Sequence, residues 1–159
     1  MVAISEDLIM EVIESFDRNE KAFFAIQETI SNSQPAIAAM LTDESMELLN
    51  DDEYELLWFV IIVVYQCITQ QFGDVLPIST GSLERIEEDN WELLGENVNV
   101  PFRARLDTFY ARTNQEDLLS FIEDSFESDD EMHIAPASRE VLFITAKSCM
   151  DAFLDGVVA

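Results

Sequence analysis

Two sets of carboxylates stand at spacings that chemistry can use. Glu11, Glu14 and Asp17 form the pattern E-x-x-E-x-x-D, and Glu84, Glu87, Glu88 and Asp89 form a second acidic set. Carboxylates three or four residues apart share one side of a helix, and such sets on two helices can hold magnesium against a nucleotide's phosphates. His133, the single histidine, lies beside Asp129, Asp130 and Glu131. One imidazole excludes zinc sites with several histidine ligands and the paired Glu-x-x-His ligands of di-iron bundles. "ESDDEMH" lacks the alternation and central glycine of a calcium loop, so it reads as a solvated connector with nonspecific divalent binding at most. Glycines stand at 73, 81, 95 and 156 alone, too far apart for dinucleotide, P-loop or G-x-S-x-G motifs.

The carboxylate spacing is similar to that of all-α nucleotide pyrophosphatases. That resemblance implies a magnesium-dependent nucleotide hydrolase using Glu11, Glu14, Glu84 and Glu87. Helical register speaks against it. At ~100° per residue, Glu11, Glu14 and Asp17 centre opposite the apolar stripe of Ile9, Val12, Ile13 and Phe16. Glu84 and Glu88 also fall off their apolar face, with Glu87 at its edge. With 33 acids in 159 residues, such patterns arise by chance. The expectation is a chain without catalytic residues, cofactor or metal.

Acidity dominates the composition. The net charge is −25, divided as −8 over residues 1–50, −10 over 51–100 and −7 over 101–159. No acidic tail hangs from a neutral domain; the whole surface is negative. Such a field repels nucleic acid and anionic membranes, favours solubility and attracts basic partners. Against it stands one locally basic stretch, "RARLDTFYAR", in which Arg105 and Arg112 share a helix side with Phe109 between them. It suits an anionic ligand or acidic segment, or simply pairs with the chain's own carboxylates. Trp91, within "EDNWELL", is the aromatic residue best placed to anchor a partner; Trp58 reads as core.

The elements that position these residues are helical. Four glycines and four prolines in 159 residues are too few for an all-β chain. Ser5 caps a first helix whose stripe runs Ile9, Val12, Ile13, Phe16, Phe23, Ile26 and Ile30, ending at "SNSQP". Ala36–Leu41 is a short apolar piece, and Thr42 reads as the cap of "DESMELL".

Leu56–Tyr65 is an unbroken run of ten apolar residues. That is short of the ~18–20 needed to span a bilayer, and longer than an ordinary strand of about 5–6 residues. It reads as the middle of a helix over about 52–72, closed by Gly73 and shielded by neighbours or a second subunit. Further helices follow over "LERIEEDNWELL" (capped by Ser82 or Thr80), 102–112, from Asn114 through Phe126, and about 137–155. "DVLPISTG" and "GENVNVP" are loops.

Cys67 and Cys149 fall on apolar positions, where free thiols act as small hydrophobes; a single disulfide is the alternative. "MVAISEDLIM" lacks a positive region and does not read as a signal peptide.

Together these observations predict an all-α single domain, residues 1–159, of about six helices around the central apolar one. The expected function is non-catalytic binding of a basic protein, of inhibitor, immunity or nucleic-acid-mimic type, in a bacterial cytoplasm. Trp91, Arg105 and Arg112 are the candidate contacts. A homo-oligomeric structural or regulatory domain is the further alternative.

Overall fold

The apolar run forms the middle of a 22-residue helix, Asp51–Phe72, in the computed structural model. Residues 1–96 and 99–158 are described, so Asn97 and Val98 of the expected "GENVNVP" loop lie outside the described residues. In chain order the helices are α1 (Glu6–Arg18), α2 (Glu20–Ser33), α3 (Pro35–Leu41), α4 (Asp51–Phe72), α5 (Thr80–Leu94), α6 (Phe102–Arg105), α7 (Asp107–Arg112), α8 (Glu116–Ser125) and α9 (Pro136–Asp155). A 3₁₀ turn, Glu44–Leu48, precedes α4. Among the described residues, the sole β feature is an isolated bridge between Val75 and Val157. The chain is all-α.

α4 is an axle because its middle offers water no polar face. Val60, Ile61, Ile62, Val63 and Val64 are all buried, each contributing ~1.5–3 kcal/mol of transfer free energy. α1, α2, α8 and α9 pack against α4, so the chain's own helices wrap it. α4 is also long and apolar enough to cross a membrane, a property that core helices share; here its central turns form the core. Asn50 and Glu53 close its start as a reciprocal capping box. Gly73, at φ 91, ends it in a backbone region that side chains resist.

α9 is the second axis. It packs along α4, with Tyr65 and Phe153 edge to face at 5.0 Å, and along α5 on its other side. Cys67 and Cys149 are free and buried, and burial raises both thiols, Cys67 to about 12. They are packing residues, not a disulfide.

Several boundaries differ from the sequence reading, each for a local reason. The first helix breaks at Asn19, whose extended backbone and side-chain bond from Ala22 N–H start α2 afresh. The apolar stripe survives the break because Phe16 and Phe23 meet edge to face across it. Asp43, not Thr42, caps the turn after α3; the Thr42 hydroxyl donates backward to Ala38 and Ala39. Ser79, one residue before Thr80, caps α5. The helix expected over 102–112 is divided at Leu106 into α6 and α7. Asn114 caps nothing: its amide donates to Met1 O, while buried Gln115 accepts from Ile4 N–H and donates to Val2 O. The side chain that reads locally as a helix start holds down the N-terminal segment instead, with its neighbour Gln115.

Candidate functional site

α5 carries the clearest candidate surface. Leu83, Asn90 and Leu94 turn inward, while Glu84, Glu88, Asp89, Trp91 and Glu92 remain exposed. Glu88 stands one turn before Trp91 on the same side of the helix, while Asp89 and Glu92 lie further round it, so the indole sits at the edge of an acidic surface. Gly95, at φ 71, ends the helix and lets Glu96 border the same groove. The groove encloses about 570 Å³ and is lined by Trp91 with Glu88, Asp89, Glu92 and Glu96. Trp91 is 40% exposed. Four carboxylates and an open indole face suit a guanidinium or ammonium group, which gains ion pairing and a cation–π contact together.

Arg105 closes this surface. Its guanidinium donates to Leu94 O and Gly95 O at the end of α5 and pairs with Glu140 of α9. A cation at a helix C-terminus satisfies the orphan carbonyls and complements the dipole. Arg105 is therefore occupied, and its role at Trp91 is to fix the edge of a second groove of about 420 Å³ shared with Trp91, Glu96 and Glu140. Arg112 is exposed at the end of α7. The break at Leu106 ends the single continuous helix that their seven-residue spacing assumed.

Beneath the surface a polar network ties α5 to α9. Buried Asn90 donates to Ser148 Oγ and to Asp151 Oδ2, each at 3.1 Å. Lys147 Nζ in turn holds both oxygens of Asp151, and stands 5.8 Å from the centre of the Phe109 ring. The Trp91 face is thus mounted on a helix that cannot easily slide.

The carboxylates of the magnesium reading are placed otherwise. Glu11 and Glu14 are exposed on α1, Glu84 is exposed on α5, and Glu87 is half-buried. Among the described residues, no group of three or more His, Cys, Asp or Glu side chains is arranged to hold a metal ion. Near His133, Asp129 Oδ1 accepts from the Glu131 and Met132 N–H groups, so it shapes its own turn.

Burial, with Glu84 and Asp43 nearby, raises the Glu87 carboxyl above its ordinary value. A raised folded-state value means that deprotonation costs stability as pH climbs from about 4.5 through that higher value. Glu87→Gln is therefore expected to raise Tm at pH 7 and to leave it unchanged below pH 4. Glu84→Gln, on the open face, should change it less at pH 7. Thermal unfolding at both pH values decides; equal gains for the two variants would remove burial as the cause.

Three residues of a further, charge-balanced groove escaped the sequence reading: Arg139, Phe102 and Glu127, joined there by His133. They are distant in sequence, and no spacing rule relates a loop histidine to the first turn of α9. The sequence matches no family model and no curated protein, and no solved structure matches the fold.

Proposed function

We propose that this chain is a non-catalytic binding domain for a basic protein, with the Trp91 groove as its anchor point. The observation that carries the reading is the exposed indole that shares a groove with Glu88, Asp89, Glu92 and Glu96 on a firmly seated helix. The net charge of −25 adds a long-range field that draws a basic partner in and turns nucleic acid away. A domain of this kind serves as an inhibitor or immunity protein, or as a mimic of nucleic acid. The partner's matching element is an arginine or lysine that reaches across the indole.

Division of labour between field and anchor gives the test. The spread charge governs the association rate, which should fall steeply as salt rises within the range where screening shortens from ~30 to ~8 Å. The buried contact governs dissociation, so Trp91→Ala is expected to cost about 2 kcal/mol, roughly thirtyfold in affinity, mostly through a faster off-rate. Affinity capture at low and high salt with mass spectrometry supplies the partner, and surface-binding kinetics supply the two rates. An association rate indifferent to salt, or an unchanged Trp91→Ala complex, would end this reading.

A further inference from the structure

Beyond Arg105 and Glu140 lies a different groove of about 820 Å³, larger than either groove beside Trp91. The grooves beside Trp91, Met10 and Tyr54 are lined by carboxylates without a single cation, and in the one between Trp91 and Arg105, Glu96 and Glu140 outnumber the arginine. In this one Arg105 and Arg139 balance Glu127 and Glu140, and His133 stands exposed on its rim. Its floor is apolar, built from Pro101, Phe102 and Ile134.

The two arginines are not equivalent. Arg105 is satisfied by Glu140 and the end of α5. Arg139 lies over the Phe102 ring, 4.4 Å from its centre, which fixes the guanidinium without using its N–H groups. Its one ion pair, to Glu127, is 3.8 Å long, beyond hydrogen-bond reach, and its Nε has no hydrogen-bond partner among the described residues. Beside it α9 begins at Ala135 and Pro136, with no side chain capping its first N–H groups. The Nε is shut away from solvent, so the terminal guanidinium nitrogens, held by the ring and a 3.8 Å ion pair, are the positive charge left beside an apolar floor in an acidic molecule.

We propose that this groove binds an amphipathic monoanion, a carboxylate on an aliphatic body. The carboxylate sits at the terminal guanidinium nitrogens of Arg139 and the start of α9, and the aliphatic part lies on Phe102 and Ile134. A single carboxylate can take the place of Glu127 at the Arg139 guanidinium without changing the charge there; a dianion would add charge that the surrounding acids repel. Glu127 is the built-in competitor, since its carboxylate already leans on the same guanidinium. The site is independent of the Trp91 reading and can succeed where that one fails.

The test is calorimetric titration of the whole chain with decanoate, and with decanol as the uncharged match. Decanoate should bind at one site and decanol at least tenfold more weakly, since a charge-assisted hydrogen bond is worth ~1.5–3 kcal/mol. Arg139→Gln should lose at least about tenfold in decanoate affinity on the same ground. Glu127→Gln should gain about threefold, the scale of an exposed ion pair removed from competition. Misfolding can imitate the loss but not the gain, so the second variant keeps the proposal exposed. Absent decanoate binding, decanol binding as tightly, an unaffected Arg139→Gln or a Glu127→Gln without gain would each overturn it.

Discussion

Asp151→Ala is expected to cost about 3 kcal/mol of stability, because it strands the Lys147 ammonium inside the protein. Lys147 is 10% exposed and its ammonium is held by both Asp151 oxygens, with the Phe109 ring 5.8 Å away. Asn90 loses an acceptor in the same stroke. For a chain of this length the loss corresponds to a fall in Tm of about 10 °C. Lys147→Met should cost less than about 1.5 kcal/mol, since it fills a similar volume and leaves Asp151 able to accept from Asn90. The contrast is the point: the pair's value lies in being complete, and removing the cation is far cheaper than removing its counterion. Urea unfolding of both variants tests it. A cost below 1 kcal/mol for Asp151→Ala, or equal costs for the two, would show that water reaches the ammonium.

The second large effect is expected at Phe143. It is fully buried and meets Phe102 at 5.8 Å and Phe109 at 5.3 Å, both edge to face. Phe143→Ala should lose about 3–5 kcal/mol, combining lost transfer free energy with a cavity that α6, α7 and α9 only partly close. Phe143→Leu keeps most of the volume and should lose about 1 kcal/mol. Because Phe102 is also the platform under Arg139, the leucine variant tests whether the groove depends on the core behind it. The expected result is weaker decanoate binding in a folded protein. Folded Phe143→Ala with near-native stability would mean that the cluster is loosely packed.

Much of the helical architecture was legible because it is written in near-neighbour terms. Leu118, Leu119, Ile122 and Phe126 recur at helical spacing and are buried together. Ser5 caps α1 through Leu8 N–H as its chemistry suggests. Exposure of Glu11 and Glu14 followed from their angle to the apolar stripe. Where two capping residues competed, the sequence was ambiguous. Thr42 against Asp43, and Asn114 against a distant hydrogen bond to Met1, differ by amounts that local propensity does not resolve, since a cap is worth ~1 kcal/mol.

The two proposed binding surfaces divide in the same way. Trp91 among acids is visible in "EDNWELL", since one helix supplies the ring and most of the carboxylates. Its partner groove was not visible. Phe102 supports Arg139 across 37 positions, and Glu127 reaches the same guanidinium from the end of α8.

Read alone, the sequence determined a helical chain, its apolar axle and its negative surface, because each depends on residue type and on periods of a few residues. Only the tertiary structure decided which arginine ties down a helix end and which lies across an aromatic ring. Arg105 and Arg139 carry the same guanidinium; a helix end and Glu140 hold one by hydrogen bonds, while an aromatic ring and a 3.8 Å ion pair to Glu127 hold the other. That difference lies in contacts between segments far apart in the chain, where neighbouring residues carry no record of it.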